Sequence, residues 1–206
     1  AAGEAPLSGQ GGAVAANDTR AARVGAEILS RGGNAVDAAV ATALALAVVL
    51  PEAGNLGGGG FAVVRMNGQL SALDFREVAP SAATRDMFLD EAGVPRPTAS
   101  TIGPLASGVP GSPAGLYELH KRFGRLKWAQ VVEPAERLAR EGLEVDAHLV
   151  KVLGDPDNRK ALDRFVETTD RWLPGGAPPE IGSRVRLPEL AATLAAYRKQ
   201  GPEGIA

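Results

Sequence analysis

Cysteine is absent from this 206-residue sequence, histidine occurs only twice, and aromatic residues make up 4% of the chain. Without cysteine there is no disulfide, no thiolate-bound metal and no cysteine nucleophile. Two histidines are too few for a multi-histidine metal centre, so we predict no metal site. What remains is 45% apolar, with 26 glycines and 15 prolines, a composition typical of a folded chain with many loops.

An excess of one charge is also missing, because 22 basic residues face 24 acidic residues and the net charge is −2. This balance provides no basic surface for nucleic acid or an anionic membrane. The longest apolar run covers residues 35–50 and contains Asp37 and Thr42. It is shorter than the roughly 20 residues that a membrane-spanning helix needs. We therefore predict a buried helix, no membrane span and no nucleic-acid partner.

Periodicity and turn residues predict an α+β chain. Apolar residues at helical spacing predict helices over residues 19–30, 113–123, 128–140 and 187–199. The apolar run predicts another helix, which Asn34 caps and which ends near residue 49. Asn67-Gly68 between two apolar runs predicts a β-hairpin over residues 61–75. We further predict a strand over residues 12–16, a loop over 94–113, a turn over 155–158, and a loop or helix cap at Thr168-Thr169.

Arg76 follows the predicted hairpin in the sequence Asp74-Phe75-Arg76-Glu77. If Phe75 faces the core, Asp74 and Arg76 share the opposite face of the strand. An arginine at a strand end offers a planar fork that can hold a carboxylate through two parallel hydrogen bonds. The alternative is that Arg76 only pairs with Asp74 or Glu77, and spacing alone favours this alternative.

Other features offer weaker evidence for chemistry. The glycines from Gly57 to Gly60 follow a helix and precede a strand, with no lysine, which is the wrong context for a phosphate-binding loop. A close backbone approach is the simpler explanation. His120 lies beside Lys121 and Arg122, so we expect it at the protein surface.

Several stretches, taken together and in order, resemble the γ-glutamyltranspeptidase family. They are Gly32 to Ala41, Gly54 to Phe61, Leu73 to Pro80, Ala83 to Phe88, Ser107 to Gly111, and Pro134 to Gly142. The resemblance is clear over residues 12 to about 146 and looser beyond. No single stretch is specific, whereas their shared order is.

The resemblance implies that the chain is part of an αββα four-layer sandwich of the N-terminal nucleophile hydrolase type. We expect residues 1–206 to form a single domain, the N-terminal portion of a large subunit. A C-terminal segment and a small subunit from the same precursor would complete the enzyme. A threonine at the new N-terminus of the small subunit would attack a γ-glutamyl amide such as glutathione. The acyl group would then pass to water, an amino acid or a peptide, without a cofactor.

The resemblance also assigns Arg76 to the binding of the α-carboxylate of the glutamyl group. We expect Asp74 to orient Arg76, with simple surface pairing as the alternative. No catalytic residue is expected in this chain, because the family's Thr-Thr-His motif is absent. The pair Thr168-Thr169 occurs too early and is followed by Asp170 instead of histidine. We therefore expect this chain alone to be inactive, as a fragment or a truncated relative.

Two other functions stay open at this point. Cephalosporin acylases of the same family use a similar arginine for a glutaryl carboxylate, and a non-catalytic glutamate-binding relative would keep the fold. The chain begins at Ala1-Ala2-Gly3 without methionine, as it would after removal of an export signal. We therefore expect a periplasmic or secreted protein.

Overall fold

A computed structural model of the chain describes residues 11–205 and confirms the α+β class. The elements are α1 (Thr19–Ser30), α2 (Ala35–Val49), β1 (Phe61–Met66), β2 (Gln69–Asp74), α3 (Ser112–Phe123), α4 (Trp128–Glu141), β3 (Leu143–Glu144), α5 (Ala147–Gly154), α6 (Pro156–Leu162), α7 (Val166–Trp172), β4 (Arg184–Val185) and α8 (Pro188–Gln200). The chain divides into two compact units, one of residues 11–55, 116–141 and 187–205 and the other of residues 56–115 and 142–186. A single domain over residues 1–206 therefore stays a prediction.

The first unit contains α2, which is buried on most of its surface. Its many alanines let α1 and α4 pack closely against it. The Asn34 side chain accepts hydrogen bonds from the backbone N–H groups of Val36 and Asp37, at 2.9 and 3.0 Å. In return, the Asp37 carboxylate accepts the Asn34 N–H at 2.8 Å. This reciprocal capping box fixes the start of the helix and confirms both the helix and its cap.

Aromatic rings join α4 and α8 in the same unit. The Trp128 ring meets the rings of Tyr117 and Tyr197 edge-on, with centroids 5.0 and 4.9 Å apart. Its Nε1 donates to the carbonyl oxygen of Tyr197 at 2.9 Å. Tyr197 is fully buried, and this burial raises the pKa of its phenol. The predicted helix over residues 187–199 is confirmed as α8.

Asp37 is a fully buried carboxylate at the start of α2. Besides the Asn34 N–H, it accepts the backbone N–H groups of Arg125 at 3.0 Å and Leu126 at 3.3 Å. His120 lies against it, with Nε2 3.4 Å from Asp37 Oδ1 and 3.0 Å from the Leu126 carbonyl oxygen. The expectation of a surface role for His120 is therefore wrong. The turn after α3 folds back over the imidazole ring, while the neighbouring basic side chains stay exposed.

The second unit contains the predicted hairpin. Strands β1 and β2 pair antiparallel, with Phe61 opposite Asp74 and Met66 opposite Gln69. Asn67 and Gly68 have φ angles of 51° and 79°, as a two-residue hairpin turn requires. Because β2 ends at Asp74, Arg76 lies just beyond the strand.

Two predictions in the second unit are wrong. The expected turn over residues 155–158 is the start of α6, where Asp155 accepts the backbone N–H groups of Asp157 and Asn158 at 2.9 and 3.2 Å. Pro156 occupies the first position of that helix, where its missing N–H costs nothing. Thr168 and Thr169 lie inside α7, so they form neither a loop nor a cap.

Residues 12–16 form no strand, so that prediction is also wrong. The long loop is confirmed between residues 94 and 111, apart from a short 3₁₀ turn over Pro104–Ala106. Within residues 11–205, every helix is too short or too polar to cross a bilayer. The chain start at Ala1-Ala2-Gly3 lies outside the described residues.

Candidate functional site

Arg76 projects from the segment that leaves β2. Its backbone N–H donates to Asp74 Oδ1 at 3.0 Å, so the carboxylate closes a local turn around the end of the strand. Asp74 therefore contacts the backbone of Arg76 and fixes the position of the Arg76 Cα atom, from which the side chain extends. The role proposed for Asp74 in orienting the guanidinium itself stays a prediction.

The Arg76 side chain is 60% exposed. Its Nη2 lies 3.3 Å from Glu77 Oε1, and its Cζ lies 5.8 Å from the centre of the Phe61 ring. The guanidinium lies over the face of this ring and makes a cation–π contact with it. Of the two partners that spacing suggested, the guanidinium therefore pairs with Glu77.

The Glu77 carboxylate is exposed and ionised. Its pKa lies below the ordinary value, chiefly because the residue's own backbone N–H donates to the carboxylate and further because Arg76 is close. An exposed ion pair of this kind is weak, since water competes for both charges. A ligand carboxylate can therefore engage the remaining donors of Arg76 without the cost of breaking a buried pair.

Glycine-rich segments hold the backbone around Arg76. Phe75 and Gly60 exchange two hydrogen bonds, at 3.0 and 3.3 Å, and Val78 and Val109 exchange two more, at 2.8 and 3.2 Å. A side chain on Gly59 would lie 2.6 Å from the carbonyl oxygen of Phe75. The glycine run therefore permits a close backbone approach at Gly59, as predicted.

Gly57 differs from the rest of the run. A Cβ atom added there would meet nothing within 4 Å among the described residues. The close-approach explanation therefore does not account for this glycine.

The other candidates give no second site. The described residues contain no group of three or more histidine, aspartate or glutamate side chains arranged to hold a metal ion. His120 is engaged with Asp37, and Thr169 Oγ1 donates to the Val166 carbonyl oxygen at 2.9 Å within α7. Neither side chain is poised as a nucleophile or a base.

A groove of about 760 Å³ runs along α2 in the first unit. Small residues line most of it, and its lining includes neither Arg76 nor Asp74. Asn34, one of its polar residues, already caps α2. The lining also includes an exposed arginine, Arg125, whose Nη1 donates to the Gly32 carbonyl oxygen at 3.3 Å. Arg76 is the stronger candidate because it lies in one of the stretches that carry the family resemblance, whereas Arg125 does not.

Sequence reasoning missed one part of the Arg76 site. The turn from Ser107 to Gly111 lies against the Arg76 segment, as the hydrogen bonds of Val109 with Val78 show. The sequence marks this turn only as a family motif, because its neighbour is far away along the chain.

Known proteins match this chain over a range that includes the stretches of the family resemblance. The sequence model of the family described as Gamma-glutamyltranspeptidase matches residues 21–205. The glutathione hydrolase proenzyme of Pseudomonas aeruginosa is 55% identical over 193 residues, which cover 94% of this chain and 34% of that protein. The chain thus spans about a third of the length of this relative.

Solved structures show the same likeness in three dimensions. The crystal structure of Helicobacter pylori γ-glutamyltranspeptidase matches with a TM-score of 0.92 and 37% identity, covering 98% of this chain and 58% of that one. A cephalosporin acylase from Bacillus halodurans matches with a TM-score of 0.74 and 32% identity, covering 90% of this chain and 35% of that one.

Proposed function

The chain belongs to the γ-glutamyltranspeptidase family, and from this premise we propose that it is part of an enzyme that cleaves γ-glutamyl amides. The substrates are glutathione and its conjugates, and the γ-glutamyl group passes to water or to an amino acid or peptide. The name of the Pseudomonas aeruginosa relative, a glutathione hydrolase proenzyme, supports this reaction.

The observation that carries the proposal is the exposed guanidinium of Arg76 at the end of the hairpin. Its backbone is fixed by Asp74 at 3.0 Å, while its side chain is 60% exposed and meets only one weak ionic partner among the described residues. A planar fork on a fixed backbone suits a substrate carboxylate. Holding the α-carboxylate sets the distance from that end of the substrate to the γ-amide.

The nucleophile belongs to a part of the protein outside this chain. We propose a longer precursor that cleaves itself into two subunits, the smaller one beginning with the nucleophilic threonine. A denaturing intact-mass spectrum of the full-length protein tests this step. We expect a second polypeptide that begins with threonine. One uncleaved species would instead favour a non-catalytic glutamate-binding relative.

The carboxylate-binding role is tested by Arg76→Lys in the full-length protein. Lysine keeps the charge and loses the two-pronged geometry, so we expect KM for a γ-glutamyl anilide to rise about tenfold or more. Arg65→Lys, on the exposed face of β1, is the matched control and should leave KM unchanged. An unchanged KM in Arg76→Lys contradicts the proposed role.

A second candidate substrate is the glutaryl side chain of a cephalosporin, because the Bacillus halodurans structure named as a cephalosporin acylase shares this fold. Glutaryl has the carboxylate that Arg76 can hold and lacks the α-amino group of glutamate. Comparing kcat/KM for matched γ-glutamyl and glutaryl anilides separates the two substrates. We expect preference for γ-glutamyl, and a preference for glutaryl would assign the acylase activity.

We propose a periplasmic or secreted location as well, and the absence of cysteine is compatible with this compartment and with the cytosol alike. Fractionation of cells that express the full-length protein tests it. Recovery with the periplasmic or secreted fraction is expected, and recovery with the cytosol contradicts the location.

A further inference from the structure

The turn from Ser107 to Gly111 has a part in the site that its sequence does not reveal. We propose that Gly111 is a positioning residue for Arg76. The backbone of Phe75 and Arg76 occupies the place where any other residue at position 111 would have its Cβ atom. The proposal rests on the proposed function, since it concerns the arginine that would hold the substrate carboxylate.

The space beside Gly111 is filled by backbone atoms. A Cβ atom added to Gly111 would overlap the carbonyl oxygen of Phe75, and would lie 2.7 Å from the Phe75 carbonyl carbon and 2.9 Å from the carbonyl oxygen of Arg76. Backbone atoms cannot rotate away as the end of a flexible side chain can. Even one methyl group would therefore displace the peptide that joins Phe75 to Arg76.

The neighbouring backbone leaves little freedom to absorb such a displacement. Phe75 is hydrogen-bonded in both directions to Gly60, and Val78 in both directions to Val109. The N–H of Gly111 donates at 2.8 Å to the carbonyl oxygen of Gly58. The Arg76 segment is thus held between residues 58–60 and residues 109–111, and Gly111 is bonded directly to the segment on the other side.

Displacement of the Arg76 backbone has a specific consequence for catalysis. The guanidinium sets the position of the substrate through its carboxylate end, so an error in its position passes to the reacting amide. A displaced guanidinium also loses part of its two-pronged hydrogen bonding to the carboxylate, so the donor is bound less tightly and its KM rises. The effect should be confined to donors that carry the carboxylate.

Other glycines near the site supply graded comparisons. A Cβ atom on Gly60 would lie 2.9 Å from the Cε2 atom of the Phe75 ring, which is a side-chain atom and not a backbone atom. A Cβ atom on Gly57 would meet nothing within 4 Å among the described residues. We therefore expect Gly111→Ala to act strongly, Gly60→Ala weakly and Gly57→Ala not at all.

The experiment compares two donors with the full-length enzyme and these variants. One donor is γ-glutamyl anilide, and the other is 4-aminobutyryl anilide, which keeps the amine and lacks the α-carboxylate. For Gly111→Ala we expect KM for the first donor to rise about tenfold or more, with KM for the second donor within twofold of the wild type. Gly57→Ala should resemble the wild type with both donors.

The Arg76→Ala background separates this proposal from the proposed function. If Arg76→Ala itself leaves KM for γ-glutamyl anilide unchanged, the proposed function fails. If Arg76→Ala raises KM and Gly111→Ala does not, only the positioning role is overturned. In Arg76→Ala, the added Gly111→Ala change should alter KM less than twofold, because the group to be positioned is already gone.

A purely structural role for Gly111 predicts a different pattern. Activity with both donors would then fall together, through a smaller folded fraction, and KM would stay constant. That result overturns the proposal. Should Gly111→Ala fail to fold, Gly60→Ala decides: a two- to fivefold rise in KM for γ-glutamyl anilide alone supports positioning, and no change in the ratio between donors overturns it.

Discussion

Asp37 and Arg76 are charged residues in two stretches that carry the family resemblance, and their environments are opposite. The Asp37 carboxylate is fully buried and accepts hydrogen bonds from the backbone N–H groups of Asn34, Arg125 and Leu126. The Arg76 guanidinium is 60% exposed and, among residues 11–205, has a single carboxylate partner, Glu77, at 3.3 Å. The Asp37 carboxylate therefore stabilises the fold, whereas the Arg76 guanidinium stays accessible to a ligand.

The stretches that contain Asp37 and Arg76 therefore have different roles, although both carry the family resemblance. Around Asp37, side chain and backbone satisfy one another, which is what a buried charge requires. Around Arg76, the backbone is fixed while the side chain is accessible, which is what a binding residue requires. Motif membership alone does not distinguish the two cases, whereas burial and hydrogen bonding do.

The largest effect is expected from Asp37→Ala. The change leaves several buried N–H groups without an acceptor and removes half of the capping box, so we expect a loss of about 3 kcal/mol or more in the free energy of unfolding. Urea unfolding of the protein measures it. Asp37→Asn should lose less, because one oxygen remains to accept.

Asp86→Ala is the control for Asp37→Ala, since the Asp86 side chain is 71% exposed. We expect its free energy of unfolding to stay within about 0.5 kcal/mol of the wild type. If Asp37→Ala lowered the free energy of unfolding no more than Asp86→Ala, the claim that the buried Asp37 carboxylate stabilises the fold would be contradicted.

A smaller effect is expected at alkaline pH from Tyr197. Because burial raises the pKa of this phenol, the folded protein keeps the proton at pH values where the unfolded chain has lost it. The stabilisation is complete below about pH 10, the ordinary pKa of tyrosine, and decreases as pH rises above it. Thermal unfolding at pH 8 and pH 10.5 should show a smaller alkaline loss for Tyr197→Phe than for the wild type. Equal losses would contradict the role of burial.

The smallest effect is expected from Glu77→Gln. Because the pKa of Glu77 is lowered, any stabilisation from its pair with Arg76 is present above the ordinary carboxyl pKa and is lost as pH falls through the lowered one. The pair is exposed, so the unfolding temperature at pH 7 should change by no more than about 2 °C. A drop of several degrees would mean that the Arg76 charge also supports the fold.

The sequence predicted the elements whose signals are local. The α1 and α2 helices, the Asn34 cap and the Asn67-Gly68 hairpin depend on neighbouring residues, and each was found where the pattern indicated. The helix that begins at Pro156 was mistaken for a turn, because aspartate and proline serve equally at a turn and at a helix start.

Long-range packing explains what the sequence could not predict. His120 has charged neighbours on its own helix, and only the fold shows that a turn covers it beside Asp37. Arg76 was identified through the family resemblance, since its local spacing equally suited an ordinary ion pair. The contact of Gly111 with the Arg76 backbone joins segments distant along the chain, and no local pattern indicates it.

The central claim is that the Arg76 charge serves a ligand and not the fold. Its most direct test is the thermal unfolding of the full-length Arg76→Ala variant with and without saturating glutamate. We expect the variant to unfold at the wild-type temperature without glutamate and to lose the rise that bound glutamate gives the wild type. A variant that unfolds several degrees lower, or that keeps the full rise with glutamate, would contradict the claim.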